Sequence, residues 1–162
     1  MAIFLEYEGI KGSVTTKGYE GMIKLDSARL GIRRSISMEV GNLKNRESTR
    51  ATFEVFETTK RYDCSTIHLY QEALGGSKGK TVKIHYTKTR EDTLETYLTI
   101  ELTDCLPTLY KLVAIGYTNN APAERLYLSY TSLIASYFPR DENNRIQSPI
   151  RGGYDLAQAK II

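Results

Sequence analysis

The segment between Thr93 and Leu106 constrains the fold most strongly, because its side chains alternate between apolar and polar with a period of two. Leu98, Ile100 and Leu102 fall on one side of this segment, whereas Glu, Thr and Tyr residues dominate the other. A period of two is that of a β-strand with one buried face, since successive side chains of a strand point to opposite faces. The segment therefore predicts a strand in a sheet that covers a core.

Shorter patterns of the same kind recur along most of the chain. They predict strands near residues 3–7, 22–27, 30–36, 53–57, 81–87, 108–117, 124–137 and 153–162. Twelve tyrosines suit the same class, because Tyr favours pleated surfaces. Large apolar residues occupy both faces of the predicted strand 124–137, which predicts a second covering layer, partly from a neighbouring subunit. Residues 1–162 are thus predicted to form one domain, either a closed antiparallel barrel or a sandwich.

One helix interrupts this pattern, in the stretch TKRYDCSTIHLYQEALGG over residues 59–76. Its predicted span is about 65–74, with Asp63 or Ser65 as the N-terminal cap. Gly75 and Gly76 predict a left-handed C-terminal cap. The helix is therefore predicted to be short and to lie against the sheets.

The spacing of apolar residues predicts which side of this helix is buried. Ile67, Tyr70 and Leu74 stand at positions i, i+3 and i+7, which form one face of a helix. The opposite face, predicted to contact water or a neighbour, carries three polar residues, namely His68, Gln71 and Glu72.

The same stretch raises the question of a catalytic or metal site, because Cys64 and His68 are one helical turn apart. Cys64, His68, His85 and Cys105 are all the Cys and His residues of the chain, and their spacing matches no common zinc pattern. The helix N-terminus is the only cue for a reactive Cys64. We therefore expect no catalytic residue, metal or cofactor, with a Cys64-dependent enzyme as a remaining alternative.

Positive charge is concentrated between Arg29 and Arg50, where six basic and two acidic residues give +4 against +3 for the whole chain. Residues 37–51 show no period, and loops of this length in compact domains are commonly functional. The segment has no aromatic residue, whereas single-strand-binding barrels stack bases on aromatic rings. A loop that contacts another protein is the favoured reading; a barrel that binds single-stranded nucleic acid through 29–50 is the alternative.

Two features of the sequence bear on localisation. The beginning, MAIFLEYEGIKG, has no basic region and meets Glu6 and Glu8 early, unlike a signal peptide. No apolar run approaches the roughly 20 residues that span a bilayer. We expect a protein made in the cytoplasm, and exported, if at all, without a cleavable signal.

Several segments, taken in order, resemble the haemolysin-coregulated protein (Hcp) family, the tube proteins of bacterial type VI secretion systems. They are FLEYEGIKG, GYEGMIKLDSARLGIRR, MEVGNLKNRESTRATFEVFETTKRYDCSTIHL, YLTIELTDCL, PAERLYLSYTSLIASY and GYDLAQAK. One departure is visible: Ile67 stands where the family commonly has Pro near the start of the helix, and a Pro there would be preorganised for a helix N-terminus.

The resemblance implies a two-sheet antiparallel β-barrel with one flanking helix and no enzymatic activity. It implies homohexameric rings that stack into an exported tube, with a valine–glycine-repeat spike protein at the tip and a contractile sheath outside. Small effector proteins would travel in the lumen. The implied ring-stacking loop consists of Met38, Glu39, Val40, Gly41, Asn42, Leu43, Lys44, Asn45 and Arg46.

Overall fold

A computed structural model of the chain describes residues 1–36, 40–41, 50–90, 92–114, 122–143 and 145–162. Every strand pair in this part of the chain is antiparallel. The predicted mainly β class is confirmed, and so is the predicted helix. The elements are β1 (Ala2–Tyr7), β2 (Ile23–Leu25), β3 (Ser27–Arg29), β4 (Ile32–Arg33), β5 (Thr52–Phe53), β6 (Phe56–Arg61), α1 (Thr66–Gly75), β7 (Lys80–Arg90), β8 (Thr93–Val113), β9 (Ala123–Ser129), β10 (Ser132–Tyr137), β11 (Ile150–Asp155) and β12 (Lys160–Ile161).

The 21-residue strand β8 organises the sheets, because its two halves pair with different partners. Its first half pairs with β7 and β10 in the order β12-β11-β10-β8-β7-β1-β2. Its second half pairs with β9 in a second path, β8-β9-β6-β3. The predicted division into strands 93–106 and 108–117 is wrong, since Pro107 lies inside β8. A register shift between Pro107 and Leu109 accommodates this residue, which has no N–H to donate.

The two paths approach each other where β2 is followed by β3. Only Asp26 separates these strands, and its N–H donates to the carbonyl of Thr59 on β6 at 2.8 Å. No β2–β6 ladder occurs among the described residues, so the predicted closed barrel is not confirmed. The described architecture is two antiparallel sheets that share β8, with a separate β4–β5 ribbon.

The segment 124–137 is two strands rather than the predicted one. The buried leucines are even-numbered on β9 (Leu126 and Leu128), whereas the buried leucine on β10 is odd-numbered (Leu133). The inward-facing positions therefore change from even to odd at the turn between the two strands. The apolar residues on both faces of the predicted strand therefore come from two strands of different phase.

The core lies between the sheets and is made of aliphatic and aromatic side chains. The fully buried members include Leu5, Ile23, Phe56, Ile84 and Leu102. Burying such a side chain stabilises the fold by about 1.5–3 kcal/mol, which makes this cluster the main source of stability. Among the described residues, no helix has the length and apolar character needed to cross a membrane.

Candidate functional site

The predicted ring-stacking loop, residues 38–46, lies between the two strands of a short antiparallel stem. The stem pairs Ile32–Arg33 with Thr52–Phe53 and so brings the two ends of the intervening segment together. Val40 is fully exposed, and Gly41 has a φ of +89°, a left-handed conformation that favours glycine. The assembly role of the loop stays a prediction, because its other residues lie outside the described part of the chain: Met38, Glu39, Asn42, Leu43, Lys44, Asn45 and Arg46.

An open cleft of about 550 Å³ next to this stem is lined by basic side chains. Arg34, Arg50 and Lys160 surround it together with the ring of Tyr154. Tyr154 packs on Phe53 with ring centroids 4.8 Å apart, so β11 contacts the stem directly. This end of the molecule presents a positive surface, suited to polar contacts with an acidic partner.

The four Cys and His residues do not meet. Cys64 and His68 are exposed at the start of α1, whereas Cys105 is fully buried on β8, where burial raises the pKa of its thiol to about 12. His85 lies on β7 with Nε2 3.5 Å from a carboxylate oxygen of Glu6. No group of three or more His, Cys, Asp or Glu side chains in the described ranges could hold a metal.

The ends of α1 differ from prediction in detail. Ser65 is the N-cap residue but makes no side-chain capping bond; its own N–H donates to the Asp63 carboxylate at 2.9 Å. Gly76 has a φ of −64°, so the predicted left-handed cap is wrong. The chain instead passes close to the helix there, since the Gly76 N–H donates to the carbonyl of Glu72 at 2.8 Å. A Cβ on Gly76 would lie 2.5 Å from that oxygen.

A buried polar network fixes the start of the helix to the second sheet. The side chains of Lys60 on β6 and Glu124 on β9 are 3% and 1% exposed and form an ion pair. The Lys60 ammonium also donates to Asp63 at 2.8 Å. The Tyr110 hydroxyl donates to Glu124, and its oxygen lies 3.2 Å from the carbonyl oxygen of Thr66. Charge-assisted bonds of this kind compensate the cost of burying the charges.

The network alters the proton affinity of two of its members. Burial opposes ionisation of Asp63, but hydrogen bonds from Lys60 and Ser65 outweigh it and lower the pKa of that carboxyl. Burial and the hydrogen bond to Glu124 raise the pKa of Tyr110. The network thus contains a retained carboxylate and a retained hydroxyl donor, and it joins β6, β9 and the start of the helix.

The sequence contains a signal for this network, although the strand predictions did not make use of it. On β6 the inward positions are Phe56, Thr58 and Lys60, so a lysine stands in the buried phase of a strand. A buried lysine requires a charged or polar partner. Glu124, in the buried phase of β9 and directly opposite in register, is that partner.

The apolar face of α1 is turned outward, contrary to prediction. Ile67 and Leu74 are 62% and 71% exposed, and Tyr70 is also exposed, whereas Thr66 and Leu69 are buried. The helix is held through Thr66 in the polar network and through Leu69 in the core, and these two contacts face the sheets. The exposed residues Ile67, Tyr70 and Leu74 form what we call the helix stripe.

The predicted outer face is correct for two of its three residues. His68 and Gln71 are exposed, but Glu72 turns inward, where one carboxylate oxygen accepts from the Lys80 ammonium at 3.0 Å. Lys80 is the first residue of β7, so this bond ties the end of the helix to the first sheet.

Comparison with known proteins bears on the family and the fold. The family model described as "Type VI secretion system effector, Hcp" matches residues 4–137. No curated protein matches the sequence. The structure of a type six secretion system protein is similar, with a TM-score of 0.89, 19% identity and 99% of each chain covered.

Two further solved structures share the fold. Hcp1 from Salmonella typhimurium has a TM-score of 0.76 and 19% identity, over 99% of this chain and 98% of that one. A type VI secretion system effector from Yersinia pestis has a TM-score of 0.73 and 20% identity, over 94% of this chain and 98% of that one. Since the family model spans most of the sequence, the chain belongs to the Hcp family of type VI secretion system effectors.

Proposed function

We propose that the chain is a structural subunit of the type VI secretion inner tube, without enzymatic activity of its own. The family match over residues 4–137 carries this proposal. Copies of the whole chain, folded as one domain, form hexameric rings, and the rings stack into a tube. The tube accommodates small effector proteins in its lumen, ends in a valine–glycine-repeat spike protein, and is driven out by a contractile sheath.

Two features of the structure support an assembly role. The stem of β4 and β5 presents the segment of the ring-stacking loop, and the cleft beside it carries three basic side chains. The Asp26–Thr59 hydrogen bond supports a barrel whose β2 and β6 come together in the assembled subunit. In this function the protein is made in the cytoplasm and leaves it through the secretion machine.

Native mass spectrometry and negative-stain microscopy of the purified chain test the ring. The expected result is a hexameric species and ring-shaped particles with a central opening. A strict monomer at every concentration would contradict the proposed function.

Deletion of Gly41–Asn45 tests the stacking loop. The deleted stretch begins beyond the β4–β5 stem, so the single ring is expected to survive. Stacking and secretion should weaken, because the deleted residues would contact the adjacent ring. Undiminished stacking in this variant would contradict the loop assignment.

A second candidate function, binding of single-stranded nucleic acid, is favoured by exposed arginines. Arg29, Arg33 and Arg50 are all exposed and could contact phosphates. Single-strand binding through segment 29–50 predicts an affinity that falls steeply with salt, because bound phosphates release counterions. Fluorescence anisotropy with a labelled oligonucleotide at two salt concentrations measures it; no binding at low salt removes this function.

A further inference from the structure

Helix α1 is held to the sheets by few apolar contacts. Within the helix, all of whose residues are described, Leu69 is the only buried apolar side chain. The N-cap residue Ser65 makes no side-chain capping bond, the first turn has no acidic residue and the last turn has no basic residue to offset the helix dipole. A ten-residue helix of this kind is marginal by itself, so its position depends on contacts with the sheets.

Ion pairs supply such contacts at both ends of the helix. At the start, the Lys60 ammonium pairs with Glu124 and donates to Asp63 at 2.8 Å. At the end, Glu72 accepts from the Lys80 ammonium at 3.0 Å. The helix is therefore fastened to β6, β9 and β7 through three carboxylates and two ammonium groups.

The buried charges of the described ranges are concentrated at the start of this helix. Lys60 and Glu124 are the only charged residues in those ranges that are buried. The Lys60 ammonium lies 3.4 Å from the side-chain oxygen of Thr66, so the first residue of the helix covers it. The core cluster between the sheets consists of aliphatic, aromatic and thiol side chains. Neutralising the buried carboxylates therefore acts on the helix before it acts on the core.

The titratable and charged groups around α1 come from the helix itself, from the segment before it and from five strands. They are Tyr7 on β1, Lys60 on β6, Lys80 on β7, Cys105 and Tyr110 on β8, Glu124 on β9, Asp63 before the helix and Glu72 within it, together with the exposed Tyr62, Cys64 and His68.

Only some of these groups change charge between neutral pH and acid. Burial raises the pKa of Tyr7, Tyr110 and Cys105, so these three keep their protons throughout. His68 gains a positive charge in acid but is exposed on the outer side of the helix. The shielded charges that acid removes are the three carboxylates that pair with Lys60 and Lys80.

We propose that α1 detaches from the sheets in acid while the sheets stay folded, and that protonation of the carboxylates paired with Lys60 and Lys80 triggers the change. An ammonium group left buried without its partner is strongly destabilising. Because Asp63 and Thr66 cover the Lys60 ammonium, water reaches it when the first turn of the helix moves away. The helix stripe then loses its fixed direction, so the fold contains an acid-sensitive switch at this surface.

The direction of the response follows from Asp63. Its pKa is lower in the folded chain than the ordinary value of 3.8, so its contribution to docking is present above pH 3.8 and is lost as the pH falls through the folded-state value. The helix is therefore expected to be docked at neutral pH and detached near the acid end of the range, at about pH 3.

Hydrogen exchange measured residue by residue by NMR tests the proposal, with each rate divided by that of an unstructured peptide at the same pH. From neutral pH to about pH 3, protection of the Leu69 amide, which donates to Ser65 within the helix, should fall by about tenfold or more, the change that one pKa unit produces. The amides of Ile84 and Ile100 in the core strands should keep most of their protection. Equal loss in helix and strands, or full protection of the helix in acid, would overturn the proposal.

Variants of the ion pairs identify the groups responsible. In Lys60→Met/Glu124→Leu, which has no buried charge under the helix, protection of the Leu69 amide should fall much less in acid than in the parent chain. Asp63→Asn should show reduced helix protection already at neutral pH, with the strands unchanged. A double variant with the same acid response as the parent, or an Asp63→Asn helix as protected as the parent's, contradicts the proposed trigger.

Lys83→Met/Glu101→Leu is the matched control, because it removes an ion pair of the same type from the first sheet. The two side chains are 41% and 42% exposed and lie 3.3 Å apart. This variant should keep the acid response of the parent helix. Loss of that response here as well would show that it does not depend on the pairs under α1, and would overturn the proposal.

Discussion

Lys60 and Glu124 face each other in register on adjacent strands and form an ion pair that is almost completely shielded from water. Around it, Asp63, Thr66 and Tyr110 complete the hydrogen bonds that a buried charge pair requires. This relationship fixes the start of the helix, and through it the direction of the helix stripe.

Removing one partner of this ion pair should be far more damaging than removing both. Lys60→Met leaves the Glu124 carboxylate buried without its cation and is expected to cost about 3–5 kcal/mol of the free energy of unfolding. The double variant Lys60→Met/Glu124→Leu should recover much of that loss. Urea unfolding of the parent, both single variants and the double variant gives the coupling energy; a double variant as unstable as Lys60→Met would contradict the ion pair's role.

The lowered pKa of Asp63 predicts a loss of stability in acid. A carboxyl whose pKa is lower in the folded state stabilises the fold above its ordinary pKa of 3.8, and this contribution disappears as the pH falls through the folded-state value. Asp63→Asn should therefore be less stable than the parent at neutral pH and should lose less stability below pH 3.8. Urea unfolding across this range checks it, and parallel curves for the two proteins would exclude the mechanism.

Substitution of Gly75 and of Gly76 by alanine should change the free energy of unfolding in opposite directions, although the two residues are adjacent. A Cβ on Gly76 would lie 2.5 Å from the Glu72 carbonyl, so Gly76→Ala should lower the free energy of unfolding by about 1–3 kcal/mol. Apart from its chain neighbours and the backbone of its own helix, no atom lies within 4 Å of a Cβ on Gly75, which is helical, so Gly75→Ala should raise stability by about 0.4–1 kcal/mol. Thermal or urea unfolding measures both; equal effects would contradict the close approach at Gly76.

The two thiols should differ in reactivity because one is exposed and the other is buried. Cys64 is exposed, so a chromogenic thiol reagent should label it at a rate close to that of a free model thiol. Cys105 is buried and its thiol pKa is raised to about 12, so it should react only after unfolding. One thiol per chain in native buffer and two in denaturant is the expected result. Labelling of Cys64 much faster than a model thiol would reopen the catalytic alternative.

Several features of the fold followed from residue patterns because they depend on neighbours close in sequence. The alternation around Ile100 and Leu102 correctly gave a strand with a buried face, and both residues lie in the core. The helix at Thr66–Gly75 was expected within one residue of its bounds. Strand boundaries were less accurate, because Pro107 is accommodated by a register shift against a partner strand that is distant in sequence.

The rotation of the helix could not be obtained from its own residues. Its apolar spacing gave Ile67, Tyr70 and Leu74 as the buried face, but these side chains are exposed. The hydrophobic effect favours burial of that stripe without specifying what covers it. A covering surface supplied by another subunit satisfies the same preference as a covering surface within the chain.

The sequence by itself determined the β class, the position of the helix and membership of the Hcp family, since these follow from local periodicity and from the order of segments. Only the tertiary structure decided which charges are buried together and which apolar surface remains exposed. Lys60 and Glu124 are distant in sequence, and their pairing depends on the register of β6 against β9. That register is a long-range property of the folded sheet, and it sets the anchor that turns the helix stripe toward solvent.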